Sequence, residues 1–281
     1  MAQDTAFYEK IDQIFNPNGD ALVMGILNIT PDSFSDGGSY LSEAEWMAQC
    51  TTMVNQGADI IDIGGFSTRP GFTEVSPQDE ENRVIPVILS IRKQFPNLLI
   101  SIDTFRAPLA EKAVRAGANI INDISGGQFD AQMFATVARL QVPYVLMHNG
   151  PALQTMHANR TVNPNIVQEV FDFLQTQSQK LEALGTNKII IDPGFGFAKT
   201  LEDNFALHQH LQTFQSLPYP LLIGISRKSM IKASSTTDPE SRQTRTTDLH
   251  RSALANGARI LRVHDVAHAK QLTSIHNQQI N

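Results

Sequence analysis

Short runs of apolar and β-branched residues recur along the chain, and segments with the periodicity of amphipathic helices separate them. Eight such runs predict strands, at 21–28, 59–63, 98–103, 119–123, 143–148, 188–192, 220–226 and 259–263. Because the runs are apolar at nearly every position, both faces of each strand are expected to be buried. Strands of this kind are typical of a parallel sheet.

The segments between the strands carry the signals of crossover helices. Ser42 and Glu45 form a capping-box pattern, Ser76 precedes a proline suited to the first helical position, and the apolar stripe over 167–184 ends before a glycine. Strand and helix alternating eight times predicts an α/β fold, the (β/α)8 TIM barrel of about 250 residues. A doubly wound open sheet is the alternative. We interpret 1–281 as a single domain with its core at about 21–268.

Charge and cysteine content narrow the class of protein. The net charge is −6, and the chain contains no run of five or six lysines and arginines, which argues against nucleic-acid and membrane-surface partners. The single cysteine, Cys50, excludes an intrachain disulfide and a cysteine-rich zinc site. The N-terminus lacks the pattern of a signal peptide, and the apolar runs are shorter than the ~20 residues that span a bilayer. We therefore expect a cytoplasmic protein that binds small molecules.

Polar residues stand where the predicted strands end, and the carboxyl ends of barrel strands are where barrel enzymes carry their chemistry. They are Asn28, Asp62, Asp103, Asn122, Asp123, His148, Asp192, Lys228, Arg262 and His264. Any one terminal Asp or Asn is more often the N-cap of the next helix. Polar groups at the ends of all eight strands favour a ligand site instead.

The acidic and amide side chains suggest the shape of the ligand. Asp103, Asn122 and Asp192 can together complement a flat heterocycle that bears an amino group, a ring N–H and a carbonyl, as in a guanine-like or pterin edge. The same set could instead hold magnesium. The sequence has no H-E-x-x-H motif, and its histidines are mostly scattered through loops and the C-terminal tail, which argues against a catalytic zinc.

Cations stand on the neighbouring seventh and eighth strands, the corner where barrels often bind phosphate. Lys228 follows the seventh run, and Arg262 and His264 lie two positions apart, so that they share a face of the eighth. These residues predict a small anion site. The alternatives are an ordinary salt bridge with a carboxylate for Arg262 and a neutral, hydrogen-bonded core histidine for His264.

Two glycine-containing segments carry weaker signals. Residues 192–200, "DPGFGFAKT", lack the spacing of a P-loop, and we interpret the glycines as a sharp turn near a flat ligand. Residues 29–38, which include Phe34, form either a plain surface loop or a lid over the site.

Seven motifs, in order, resemble those of the dihydropteroate synthase family: "MGILNITPDSFSDGG", "GADIIDIGGFSTRPG", "SIDT", "NIINDISGG", "IIIDPGFGF", "GISRKSMI" and "RVHDV". The resemblance spans roughly 21–268 and implies a (β/α)8 barrel, usually dimeric. It also implies that 6-hydroxymethyl-7,8-dihydropterin diphosphate is joined to 4-aminobenzoate, with release of pyrophosphate and help from Mg²⁺.

The resemblance also assigns roles to individual residues. It implies that the pterin ring is bound by Asp103, Asn122, Met147, Asp192 and Lys228. It implies that the diphosphate and its metal are bound by Asn28, the metal-associated residue, with Thr68, Arg262 and His264. The aminobenzoate and the closing loops correspond to Phe34, Thr68, Arg69, Pro70, Phe197 and Ser229. Lys228, Arg262 and His264 are the implied catalytic residues, and no covalent enzyme intermediate is needed.

Departures from the family pattern and two rival functions remain. Phe66 replaces a common glutamate, and the segment "TRTTDLHRSALANG", interpreted as the final helix, carries Asp248, His250 and Arg251 where the family has small or apolar residues. The resemblance implies a homodimer with this helix at the interface, and the polar residues bear on the strength of that dimer. The rivals are a methyltetrahydrofolate-dependent corrinoid methyltransferase, which has no diphosphate to bind, and a non-catalytic pterin-binding paralogue.

Overall fold

A computed structural model describes residues 2–30, 42–66, 75–150, 161–232 and 239–280. Eight parallel strands pair in sequence order and close into a barrel, which confirms the TIM barrel and not the open sheet. The strands are β1 Leu22–Asn28, β2 Ile60–Gly64, β3 Leu99–Asp103, β4 Ile120–Asp123, β5 Tyr144–Met147, β6 Ile189–Asp192, β7 Leu221–Ile223 and β8 Ala258–Val263.

Within the described residues, ten α-helices and one 3₁₀ segment surround the strands. They are α1 Ala2–Phe15, α2 Glu43–Asn55, α3 Pro77–Gln94, α4 Ala107–Ala116, α5 Met133–Leu140, α6 Ile166–Ala183, α7 Leu201–Gln209, the 3₁₀ segment Leu211–Ser216, α8 Ser229–Lys232, α9 Pro239–Ala255 and α10 Val266–Ile280. Ser42 and Ser76 cap α2 and α3 as the sequence predicts. None of the described helices has the length and hydropathy of a membrane span.

Two sequence predictions about elements are wrong. The segment "TRTTDLHRSALANG" lies in α9 and is followed by α10, so it is not in the final helix. The seventh strand ends at Ile223 rather than at residue 226, because the chain leaves the sheet at Gly224 and turns toward Lys228. Its pairing with β6 is reduced to one register pair, Ile191 with Leu221. Lys228 therefore lies on a loop between β7 and α8.

One apolar residue from every strand fills the bottom of the barrel. These eight side chains, all at most 2% exposed, are Met24, Ile60, Leu99, Ile120, Val145, Ile190, Leu222 and Ile260. Helix α1 closes this end, because its Ile11 and Ile14 pack into the same cluster. The packed interior therefore includes residues that precede the predicted core boundary at 21.

The opposite faces of the strands pack against the helices. Val263 is 1% exposed and belongs to this outer cluster, as its alternation with Arg262 predicts. Cys50, on α2, is buried in the same cluster. Because successive side chains of a strand alternate between the two layers, the interior positions of each strand follow every second residue. That alternation decides which residues line the mouth.

Candidate active site

The barrel interior turns polar two residues beyond the apolar bottom layer. The polar side chains at these positions are Asp62, Ser101, Asn122, Asp192 and Arg262, and the other three positions hold Ile26, Met147 and Gly224. Two residues further along their strands follow Asn28 and Asp103, with His264 one residue past the end of β8. The predicted ring of polar groups thus forms at the carboxyl end of the barrel.

Arg262 lies at the centre of a buried ion-pair network. Its Nε donates to Asp62 Oδ2 at 2.7 Å, and one of its terminal nitrogens donates to Asp103 Oδ2 at 2.7 Å. Asn122 Nδ2 donates to the same Asp62 oxygen at 3.0 Å. The contacts seen for Arg262 are thus those of the salt-bridge alternative. Its role in binding diphosphate stays a prediction.

The surroundings of the mouth shift the pKa of several groups toward neutrality. Burial raises the pKa of Asp103 to about 7, although the positive charge of Arg262 opposes that rise. Burial also raises the pKa of Asp192, against the effects of Lys228 and of the Gly194 N–H. Burial lowers the pKa of Lys228 to about 8, although Asp192 opposes the change. Groups with perturbed pKa values cluster at functional sites, and these line one cavity mouth.

The structure brings the predicted cations of the seventh and eighth strands together. A Cβ atom built on Gly224 would lie 4.0 Å from Lys228 Nζ and 3.9 Å from Arg262 Cβ, so both side chains flank this glycine. Lys228 Nζ donates to the Phe195 carbonyl and lies 4.6 Å from the centroid of the Phe197 ring. The positive corner therefore adjoins an aromatic face.

His264 is half-buried at the end of β8 and contacts the loop after β7. Its Nδ1 lies 3.1 Å from Ser226 Oγ, and its backbone N–H donates to the same hydroxyl at 3.3 Å. These contacts fix the ring beside the β7 loop. They match the hydrogen-bonded alternative, and a contact with phosphate stays a prediction.

An apolar wall stands beside the polar ring. Met147 packs with Phe66, Phe105 and Ile124, and Phe197 is among the half-buried residues against them. The Phe66 and Phe105 rings meet edge to face, with centroids 5.7 Å apart. An apolar surface next to a few convergent polar groups is typical of a small-molecule site.

Comparison with known proteins agrees with this geometry. The family model described as "Pterin binding enzyme" matches residues 24–264. The chain belongs to the pterin-binding enzyme family. A relative named dihydropteroate synthase from Streptococcus pyogenes is 43% identical over 264 residues, covering 92% of this chain and 96% of the relative. One of the same name from Synechocystis is 44% identical, covering 90% and 88%.

A solved structure of a further pterin-binding enzyme has the same fold. The dihydropteroate synthase of Xanthomonas albilineans with 4-aminobenzoic acid superimposes with a TM-score of 0.84. Its sequence is 38% identical to this chain, and the match covers 93% of this chain and 94% of that one.

Within this pterin-binding barrel, the other predicted residues have varied surroundings. A Cβ built on Gly64 would lie 3.5 Å from Asn28 Oδ1 and 3.5 Å from the Asp103 Cβ, so Asn28 and Asp103 flank this glycine. Ser229 is exposed at the start of α8. Some predicted site residues lie outside the described part of the chain, and these are Phe34, Thr68, Arg69 and Pro70.

Phe66, the departure from the family's glutamate, lies beside a different carboxylate. Glu80 on α3 is fully buried and pairs with Arg106, whose guanidinium lies over the Phe105 ring at 4.8 Å. Arg106 also donates to the Val75 carbonyl at 2.8 Å. The same guanidinium lies 5.9 Å from the centroid of the Phe66 ring, and a Cβ atom built on Gly65 would lie 3.2 Å from Glu80 Cγ. A buried carboxylate is therefore present near Phe66, on another element.

The sequence analysis placed Asp62 among the polar strand ends but gave it no partner and no role of its own. Its signal was present, because a single carboxylate interrupts the otherwise apolar run "IIDIG" and a fully buried Asp without a partner is costly. The partner, Arg262, is 200 positions away in sequence. Only the closure of β1 between β2 and β8 brings the two together.

Proposed function

We propose that this chain is a dihydropteroate synthase, which joins 6-hydroxymethyl-7,8-dihydropterin diphosphate to 4-aminobenzoate and releases pyrophosphate. The observation that carries the proposal is the convergence of Asp103, Asn122, Asp192 and Lys228 on one barrel mouth beside Arg262. The names of its relatives support the same reaction.

The pterin ring would lie among the buried polar groups. Asp62 holds the Asn122 amide through a 3.0 Å hydrogen bond, which fixes the orientation of that amide. The carboxylates of Asp103 and Asp192 would accept hydrogen bonds from the amino group and ring N–H, and Lys228 would donate to the carbonyl side. Met147 would contribute an apolar face. This arrangement would give each polar edge of a pterin a hydrogen-bond partner.

Mg²⁺ is the cofactor that we propose, and the donor set is compatible with it. The described residues contain no group of three His, Cys, Asp or Glu side chains that could hold a metal by themselves. Mg²⁺ is, however, often bound by one or two protein oxygens together with substrate phosphates and water. Asn28, at the end of β1, would supply such an oxygen. When bound, the ion would neutralise charge on the diphosphate.

The reaction needs one bond to break and one to form. The bond between the pterin methylene carbon and the diphosphate oxygen breaks, and its electron pair leaves with the diphosphate. Arg262 and His264 would stabilise the departing oxygens. The methylene carbon would carry cationic character beside Asp103 and Asp192 until the amine nitrogen of aminobenzoate bonds to it and releases a proton.

Aminobenzoate would bind at the rim of the mouth. We propose that Phe197, whose ring lies beneath Lys228, contacts its aromatic ring together with Phe34, Thr68, Arg69, Pro70 and Ser229. Thr68 would also contact the diphosphate. Cys50 has no part in this chemistry, because it is buried on α2 and burial raises the pKa of its thiol to about 12.

Release of pyrophosphate from purified protein tests the proposal. We expect release only when pterin diphosphate, 4-aminobenzoate and Mg²⁺ are all present, with dihydropteroate formed in equal amount. Binding of the pterin without any release would favour the non-catalytic paralogue. Methyl transfer from methyltetrahydrofolate to a corrinoid would favour the methyltransferase.

Two further features of the enzyme belong to the proposal. We propose a cytoplasmic location and a homodimer in which α9 takes part. Asp248 and Arg251 on α9 are exposed, and 3.7 Å separates Asp248 Oδ1 from Arg251 Nη1. His250, which lies between them in sequence, is buried in the protomer. Sedimentation of the purified protein would test the dimer, and a monomer at all concentrations would contradict it.

A further inference from the structure

Lys199 lies behind the candidate active site, on the loop that follows β6. Its ammonium donates to the Gly194 carbonyl at 2.9 Å and to the Phe197 carbonyl at 3.1 Å. It also contacts His148, which directly follows β5, with 2.9 Å between Nζ and Nδ1. One half-buried cation thus joins the end of β5 to both ends of the turn at 194–197.

The loop around Lys199 is tightly bent against β5. Gly194 has φ of +71°, and a Cβ atom there would lie 1.9 Å from the His148 carbonyl oxygen, so the two backbones touch. Ala198 also has a positive φ of 52°, which is unusual for a residue with a side chain. Carbonyls inside such a bend need donors, and Lys199 supplies them.

The contact with Lys199 also determines the tautomer of the His148 ring. An ammonium only donates hydrogen bonds, so His148 Nδ1 accepts and the ring proton lies on Nε2. Nε2 faces Glu169 Oε1 at 3.7 Å, and the ring meets Phe173 edge to face. His148 is therefore held from several sides and gives Lys199 a rigid anchor.

The bent loop carries two groups of the candidate active site. The Gly194 N–H donates to Asp192 Oδ1 at 2.7 Å, and the Phe197 ring lies beneath Lys228. Lys228 in addition donates to the Phe195 carbonyl from the substrate side. The loop is thus held by two lysines, Lys228 from within the mouth and Lys199 from behind.

We propose that Lys199 is a positioning residue that fixes the turn at 194–197, so that the Gly194 N–H meets Asp192 and the Phe197 ring stays beneath Lys228. The inference rests on the proposed function for the identity of the two substrates. Lys199 is not placed in contact with either of them. Its effect reaches the pterin through Asp192 and the aminobenzoate through Phe197.

Lys199→Met tests the inference, because it keeps an unbranched side chain but removes every donor. Lys199→Arg retains charge and donors, and Lys180→Met removes an exposed lysine from α6 as a matched control. The affinity for pterin diphosphate is measured by calorimetry and the KM for 4-aminobenzoate by pyrophosphate release. We expect Lys199→Met to weaken both by about tenfold or more, since hydrogen bonds to charged groups are of that strength.

The two other variants separate positioning from loss of fold. Lys199→Arg should recover most of both constants, and Lys180→Met should match the parent protein. The melting temperature identifies any variant that is not folded. If Lys199→Met does not fold, Lys199→Gln, which retains one amide donor, provides the same comparison.

The pH dependence of pterin binding gives a readout that simple loosening of the loop would not change. Asp192 is faced by Lys228 from the β7 loop, Arg262 from β8 and Lys199 from its own loop, and each cation lowers the pKa of that carboxyl. Removing Lys199 should therefore move the loss of affinity on acidification to higher pH.

The inference would be overturned by a folded Lys199→Met variant that equals the parent protein in three respects. These are the affinity for the pterin, the KM for aminobenzoate and the pH profile of pterin binding. Failure of the proposed function looks different. In that case the parent protein itself would release no pyrophosphate, and the binding measurements would still decide the role of Lys199.

Discussion

The guanidinium of Arg262 lies between the carboxylates of Asp62 and Asp103, with a nitrogen 2.7 Å from an oxygen of each. Asp62 is fully buried, and Asp103 is partly accessible from the mouth. Two carboxylates thus hold one cation across three strands. Any movement of Arg262 toward a diphosphate would leave buried negative charge behind, so Asp62 determines where Arg262 can act.

Asp62→Asn should impair catalysis although Asp103 and Asp192, the carboxylates proposed to bind the pterin, are retained. The amide cannot pair with Arg262 as an ion, and losing such a charged hydrogen bond typically costs about 1.5–3 kcal/mol. We therefore expect kcat/KM to fall by about tenfold to a hundredfold. Steady-state pyrophosphate release measures this, with exposed Asp248→Asn as control. A folded Asp62→Asn variant with unchanged kcat/KM would contradict the role.

Pterin binding should depend on pH with a bell-shaped profile. Asp103, with a pKa of about 7, must lose its proton to accept hydrogen bonds, and Lys228, with a pKa of about 8, must keep its proton to donate. Affinity should therefore fall below the first value and above the second.

Calorimetry across the neutral range measures this profile, and Arg262→Gln provides the comparison. Arg262 lowers the pKa of Asp103, so its loss should move the acid limb to higher pH. An affinity that does not vary with pH would show that neither group titrates in the binding step.

His250 should make the fold sensitive to acid. The side chain is 2% exposed, neither ring nitrogen has a hydrogen-bond partner among the described residues, and burial, with His268 and His208 nearby, lowers its pKa to about 4. Because the unfolded chain binds the proton at its ordinary pKa of 6.5, stability is fully present above that value. It should decline as the pH falls toward 4, where the folded protein begins to bind the proton as well.

His250→Leu removes this proton uptake and keeps a buried apolar side chain. We expect the loss of unfolding free energy between neutral and acidic pH to shrink by an amount on the order of 3 kcal/mol. Urea unfolding at several pH values measures it, and His210→Gln changes an exposed histidine as control. Equal acid sensitivity in His250→Leu and the parent protein would refute this prediction.

Arg106→Met should destabilise the fold by leaving Glu80 buried without its partner. Glu80 is fully buried, and burial already raises the pKa of its carboxyl against the charge of Arg106. Breaking a buried pair from one side typically costs about 3–5 kcal/mol. Urea unfolding of the single variant, and of Arg106→Met with Glu80→Gln, measures the loss.

The double variant should recover part of that stability, because the remaining amide carries no charge. Arg115→Met serves as control, since Arg115 pairs with Glu111 on the surface and should matter little. Equal losses of unfolding free energy in Arg106→Met and Arg115→Met would show that the buried pair with Glu80 stabilises the fold no more than a surface pair does.

The alternation of apolar runs and helical segments was sufficient to predict the barrel, because strand and helix periods are local properties. The polar residues at the strand ends were likewise predictable, since parallel strands in a barrel present their carboxyl ends on one face. Asp103, Asn122, Asp192 and Lys228 follow from this reasoning alone. The hydrogen bonds and ion pairs that these residues form within the protein do not follow from it.

The contacts that could not be predicted depend on distances between strands. Arg262 was expected to lie beside Lys228, and it does, but its pairing with Asp62 and Asp103 needs the register with which the barrel closes. His250 was noted only as a departure from the small or apolar residues of the family. It is buried, while its neighbours Asp248 and Arg251 are exposed. Lys199 was considered only as part of a failed phosphate-loop match, because two of its acceptors are backbone carbonyls and the third, His148, lies 51 positions away in sequence.

The apolar layer at the bottom of the barrel separates the polar site from water on that side. Eight strand side chains and the two isoleucines of α1 block water from that side. Water below this layer therefore does not screen the charges at the mouth, and electrostatic interactions strengthen as the effective dielectric constant falls. Once a substrate covers the mouth and excludes water, its electrostatic interactions with the carboxylates and cations become stronger. Residues that never contact a substrate thus set the strength of the field that acts on it.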